Sequence, residues 1–228
     1  MWRGPRAAAW CGVALLLALP SLALPWVALD ASAPYPQQAL IWLQAHAWDQ
    51  PWRWWTAAWV HGSAQHLSAN LAACAAVACL GVAARMPVLA AAAWLLAWPF
   101  VQMALVVEPR LLAYGGASGV LHAGVAVCGV LLLLGHGRDG HARPDHEGEQ
   151  TQPVQPVAPR WLGAVLLTGL VGKLIHEAAW TTPLVHRDGL GLVVAPVAHL
   201  TGALIGALAG VCAAGAARLR RGGSRQSR

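Results

Sequence analysis

The chain has 228 residues, of which 57% are hydrophobic and only 11% charged, with a mean hydropathy of +0.52. That leaves too little polar surface for a water-soluble domain and excludes one. The formal net charge of +6 rests almost wholly on arginines between and beyond the apolar runs, where it reads as a topology signal.

A bilayer core about 30 Å thick takes roughly 20 apolar residues of helix. Runs of that order lie at about 8–29, 59–83, 87–107, 116–135, 161–180 and 191–215. They predict an all-α membrane protein of six helices occupying 1–217, followed by a basic tail at 218–228. In the first run Arg3 and Arg6 precede a Leu-rich stretch, as in a secretory signal peptide. The stretch continues through Pro20 and Pro25 to Leu29, beyond the usual signal core of about 7–15 residues, so a retained helix is expected. Residues 31–57 carry Tyr35, Trp42, Trp48, Trp52, Trp54 and Trp55, and indoles favour the headgroup layer, where ring and N–H are both satisfied. Residues 136–159 are rich in His, Pro, Gln, Asp and Glu without apolar periodicity and predict a flexible loop. Its His136, His141 and His146 read as solvent-exposed.

With the N-terminus in the cytoplasm, Arg3, Arg6, Arg85, Arg138, Arg143, Arg160 and the five tail arginines fall on one side, and Arg53, Arg110 and Arg187 on the other. The positive-inside bias therefore predicts cytoplasmic termini, and the basic tail caps the last helix instead of binding nucleic acid. Cys11, Cys74, Cys79, Cys128 and Cys212 all lie in apolar runs, so no disulfide framework is expected.

Polar groups inside spanning helices are costly and mark function. They are His61, His66 and Asn70 in the second run, Ser118 and His122 in the fourth, Lys173, His176 and Glu177 in the fifth, and His199 in the sixth. The second, fourth and sixth runs start on the same side, which places their polar residues in one layer near the outer face. His199, Gly202, Gly206 and Gly210 share one helix stripe, so the imidazole sits on a small-residue packing face. Ser118, framed by Gly116 and Gly119, enters a helix at its positive end. Any one of these residues alone reads as interhelical glue. Together they offer a hydroxyl nucleophile and a base, Ser118 and His199, with Asn70 and His66 one turn apart as donors to an oxyanion.

Gly116-Ala117-Ser118-Gly119 resembles the rhomboid nucleophile motif G-x-S-G. Ala198-His199-Leu200-Thr201-Gly202 resembles its A-H-x-x-G, and His66-Leu67-Ser68-Ala69-Asn70 its H-x-x-x-N. The longer strings 114–122 and 172–177 are similar to the rhombosortase branch. The resemblance implies a six-helix rhomboid-like bundle and a Ser-His dyad intramembrane endopeptidase without metal, cofactor or acidic third member. Ser118 is then the nucleophile, His199 the base, and His66 and Asn70 oxyanion donors, with Gly116, Gly119, His122 and His61 in support. It also implies substrates: transmembrane tails of secreted proteins, made of a glycine-rich motif, a hydrophobic helix and a basic cluster, cut on the outer side of a bacterial inner membrane. His122 either supports His199 or competes with it as base. Lys173 and Glu177 either neutralise each other, recognise the substrate tail or brace the sixth helix. Two alternatives stand beside the protease: a non-catalytic rhomboid-like escort of transmembrane segments, and a metal or haem protein using the histidines, which lacks any regular ligand spacing.

Overall fold

The computed structural model describes residues 4–24, 36–135, 158–187 and 192–226. The expected flexible loop, with its three histidines, lies outside the described residues up to 157. Among the described residues six long helices carry the fold: α1 (Pro5–Ala23), α2 (Ala64–Ala83), α3 (Val88–Met103, prolonged by a 3-10 turn at Ala104–Val107), α4 (Ser118–Leu133), α5 (Arg160–His176) and α6 (Pro196–Gln226). Two small antiparallel ladders join loops: β1 (Trp42–Leu43) with β2 (Ala113–Tyr114), and β3 (Val185–Arg187) with β4 (Leu192–Val194).

Among the described residues four helical stretches are long and apolar enough to cross a membrane: Pro5–Ala23, Ala64–Ala83, Val88–Val107 and Pro196–Arg220. The expected fourth and fifth spans are shorter, 16 and 17 residues, or about 24 and 26 Å at 1.5 Å per residue. Large apolar side chains, among them Leu19, Leu96, Phe100, Ile175, Leu204 and Leu208, are exposed around the bundle. A water-soluble protein does not display such a girdle; a multi-pass membrane protein does.

Several boundaries differ from the expected ones, each for a local reason. α1 ends at Ala23 because Leu24 precedes Pro25, and the pre-proline residue is pushed from the helical region to the extended one it occupies. Pro20 inside α1 has no N–H for the Leu16 carbonyl; the Trp59 indole Nε1 donates to that oxygen at 2.9 Å instead. α2 begins only at Ala64. Ser63 is its N-cap, with Oγ accepting from the His66 amide at 3.1 Å. His61 therefore belongs to the preceding loop and not to the helix. α6 begins at Pro196, because the β3–β4 hairpin takes up residues expected to be helical. It then runs on to Gln226, so most of the expected tail continues the helix.

α4 is the hub, touching α2, α3, α5 and α6, while α1 packs on α2 and α3. Glycines set the closest approaches. A Cβ added at Gly81 would overlap the Trp10 indole, and one at Gly124 would lie 2.6 Å from the Trp94 ring. These indoles also tie helices together: Trp10 Nε1 donates to Val77 O at 2.8 Å and Trp94 Nε1 to Val120 O at 2.7 Å. Along α6, an added Cβ would meet Gly119 O at 2.0 Å from Gly202, Ala123 O at 2.4 Å from Gly206, and Val130 Cβ at 3.0 Å from Gly210. The stripe of small residues is thus the face pressed on α4. In the stretch before α2, Trp42 is buried, whereas Trp48 and Trp52 are exposed. Arg53, 6% exposed, is held by the carbonyls of Gln38 and Ile41, so its charge is bonded within the protein.

Candidate active site

The loop from Ala113 to Ala117 delivers Ser118 to the first position of α4. Strand β2 pins its start, and Gly116 N donates to Ala57 O at 2.8 Å. Gly116 has φ of +131°, a region that side chains avoid. A Cβ at this position would also lie 2.8 Å from His66 Cε1 and 2.9 Å from Nε2. Glycine is required twice over, and the His66 ring is thereby placed against the loop that carries Ser118. At Gly119 an added Cβ would lie 2.7 Å from Ala198 O, so α6 lies against α4 beside the serine.

This contact brings His199 and Ser118 together across 81 residues of chain, with His199 Nε2 3.0 Å from Ser118 Oγ. The other ring nitrogen, Nδ1, is 2.7 Å from Glu177 Oε2. A carboxylate only accepts, so Nδ1 carries the hydrogen, and Nε2 presents its lone pair to the serine hydroxyl. Glu177 caps the end of α5, and its other oxygen, Oε1, is paired with Lys173 Nζ. The imidazole is 5% exposed and the carboxylate 8%, while the lysine reaches solvent at 44%. The resemblance implies no acidic third member, yet a buried carboxylate is bound to the imidazole. Of the roles open to Glu177, bracing the sixth helix matches its position, and it pairs with Lys173 as well. The sequence pattern pointed to the lysine four residues before it but not to the histidine.

His122 stacks on His199, ring centroids 4.1 Å apart and planes 12° from parallel. Its Nδ1 donates to Ser118 O at 2.6 Å. It thus lies on the face of the His199 ring, and its Nδ1 is engaged by the Ser118 carbonyl and not by the hydroxyl. Tyr114, the first residue of the 114–122 string, lies beside the serine. Its Oη lies 3.1 Å from Gly116 O and 3.3 Å from Ser118 Oγ. With the serine hydrogen directed at His199, the tyrosine can donate its one hydrogen to either oxygen.

The proposed oxyanion donors are nearby but differently engaged. Asn70 is buried, and its Nδ2 donates to His66 O at 3.1 Å, which takes up one of its two amide hydrogens. His61 and His66 meet edge to face at 5.0 Å, and His61 Nδ1 is 3.2 Å from Trp59 O. His61 Nε2 is buried and unpartnered. His176, next to Glu177 in the chain, is exposed. All five cysteines are free thiols. No group of three metal-ligating side chains occurs among the described residues, and both nitrogens of His199 are already engaged by protein atoms.

The arrangement can activate a hydroxyl. A serine is a weak nucleophile until a base within hydrogen-bond reach takes its proton, and an imidazole of fixed tautomer is that base. The first-turn amides of α4 have no partners within the helix and point toward the serine end, where negative charge is favoured. No family model, curated protein or solved structure matches this chain, so the motif resemblance and this geometry carry the functional reading.

Proposed function

We propose that the chain is an intramembrane serine endopeptidase of the rhomboid type, with Ser118 as nucleophile and His199 as general base. The observation that carries it is the 3.0 Å approach of His199 Nε2 to Ser118 Oγ in a half-buried site built from separate helices. In the reaction, Ser118 Oγ bonds to the carbonyl carbon of a peptide, and its proton passes to Nε2 of His199. The oxyanion is stabilised by the Ser118 backbone N–H, His66 and the remaining amide hydrogen of Asn70. His199 then protonates the departing amine. Water attacks the acyl-serine, giving a proton to His199 that returns to Ser118 Oγ, so one peptide bond and one water become an acid and an amine.

Hydrolysis needs water, which lipid does not supply, so the polar layer must open to one face. In this reading all six helices span a bacterial inner membrane, both termini are cytoplasmic, and the site opens to the periplasmic side. The shorter α4 is accommodated because the loop before it is covered by protein and not by lipid. The substrates are the C-terminal anchoring tails of secreted proteins, cut at small, flexible glycines, because a helical segment must unwind before its carbonyl reaches Ser118. Co-expression with a secreted protein bearing such a tail tests this. Release from the membrane is expected with the wild type and not with Ser118→Ala. Equal release by both would refute the protease and leave escort of transmembrane segments as the function; reporters at the termini that localise outside would overturn the sidedness.

A further inference from the structure

We propose that Glu177 is a positioning residue for the base, making a Ser118–His199–Glu177 chain in which Lys173 holds the carboxylate; this rests on the serine protease reading above. Local helix physics gives no reason for an acid at this position. The end of a helix carries partial negative charge, which disfavours a carboxylate, and a lysine four residues before a glutamate is the poorer order for a helical ion pair. Nor is the chain relaxed after it, since Ala178 adopts φ of +46°, a left-handed conformation unusual for a residue with a side chain. The contact that the position does provide is tertiary: Glu177 Oε2 at 2.7 Å from His199 Nδ1, with both side chains more than nine-tenths buried.

That contact fixes two things the base requires. It holds the hydrogen on Nδ1, so Nε2 is free to accept from Ser118, and it stops the ring from turning about its χ angles. His122 restricts the ring only by stacking on its face, which leaves rotation in the plane and the tautomer undetermined. When the serine proton arrives at Nε2, the imidazolium lies between the reacting atoms and a carboxylate that stays ionised. No proton passes to Glu177. Lys173, with its end in solvent, occupies the second oxygen and keeps the carboxylate oriented. The charged and titratable groups about His199 are Ser118 and His122 on α4, Glu177 and Lys173 at the end of α5, and His66 on α2.

The test uses the purified full-length chain and a fluorophosphonate probe, which phosphonylates an activated serine with loss of fluoride and needs no knowledge of the natural substrate. Wild type is expected to label and Ser118→Ala not to. Glu177→Gln keeps an oxygen near Nδ1 but loses the charge, and should lower the maximal labelling rate by about 10²-fold or more while the concentration for half-maximal rate stays within about threefold. Glu177→Asp should recover part of the rate. Wild-type rates in Glu177→Gln would overturn the positioning role while leaving the protease intact. A wild type that labels no better than Ser118→Ala would sink the protease reading itself. Should Glu177→Gln fail to fold, the ¹⁵N resonances of His199 in the wild type decide: hydrogen on Nδ1 supports the assignment, and hydrogen on Nε2 in the neutral ring refutes it.

Discussion

The two ends of the α4–α6 contact share one geometry and do different work. At one end the helices meet through Ser118, His122 and His199, with His199 Nε2 on Ser118 Oγ, His122 Nδ1 on Ser118 O and His199 Nδ1 on Glu177. At the other they meet through Gly206 and Gly210, whose nearest neighbours are the Ala123 backbone and the Val130 side chain. Lipid gives no hydrophobic drive for helices to associate, so small residues and close backbone packing must hold them. The glycine end therefore fixes the distance between helices, and the polar end converts that fixed distance into a hydrogen bond between Ser118 and His199.

The largest expected effect is at the polar end. Ser118→Ala and His199→Ala should each abolish cleavage with the protein still folded and inserted in the membrane. Because the two act in one proton transfer, the double mutant should be no slower than the worse single mutant. Cleavage rates that fall multiplicatively in the double mutant would mean that the residues work apart.

The glycine end offers a graded series. Gly202→Ala places a methyl 2.0 Å from Gly119 O, a backbone atom that cannot swing away. Separating the helices should cost about 1–3 kcal/mol of stability. By moving His199, three residues earlier, a shift of about 1 Å should lower turnover by on the order of 10²-fold. Gly210→Ala, with its nearest contact at 3.0 Å to a side chain, should do less of both. Gly215→Ala, with open space around it, should be neutral or stabilise the helix by up to about 1 kcal/mol. Thermal melting and cleavage measured on the three variants check the ranking; a Gly215→Ala protein as damaged as Gly202→Ala would show that close approach is not what the stripe provides.

Much of this division was legible in the sequence. The spacing of His199 with its three glycines gives the packing face directly from helical periodicity. The motifs around Ser118 and His66 point to the residues that the structure brings together. The partner of the base was not legible, because Glu177 has a lysine at helical spacing and its histidine lies on another helix, so only the docking of the end of α5 beside the start of α6 reveals the bond. The start of α2 was hidden for the converse reason: the apolar run continues through Val60, and the Ser63 cap that ends the loop is a single residue in an otherwise helical-looking pattern. Tyr114 carried no signal of its own, since a tyrosine before a glycine pair reads as part of a turn.

Asn70→Ala comes next in size. Loss of one oxyanion donor lowers turnover by about 10–10³-fold in serine hydrolases. The bond from Asn70 to the His66 carbonyl leaves a single amide hydrogen for that role, so the fall should lie toward the lower part of the range, with substrate affinity little changed. Weakened affinity at unchanged turnover would make Asn70 a substrate contact instead.

The smallest expected effect lies outside the bundle, in the loop that leads from α3 to β2. Arg110 binds Glu108 through Nε and Nη2, each at 2.7 Å, and Nη2 also reaches Thr181 O at 3.1 Å, tying this loop to the turn after α5 that bears Glu177. The side-chain hydrogen bond from Arg110, followed by its backbone N–H and then its charge, holds the Glu108 carboxyl down to about 2 from the ordinary 4.5. A carboxyl lowered on folding stabilises the fold above its unfolded value, and that stabilisation is lost as pH falls from about 4.5 through about 2. Arg110→Ala should therefore lower the melting temperature slightly at neutral pH. The deficit should narrow toward pH 2, and narrow also in about 1 M salt, where the Debye length falls to roughly 3 Å. What survives both treatments is the part of the link that does not involve the carboxylate, the hydrogen bond from the guanidinium to Thr181 O. If the deficit were the same at every pH and salt concentration, that bond alone would join the loop to the turn, and the carboxylate of Glu108 would have no part in placing the segments that flank the site.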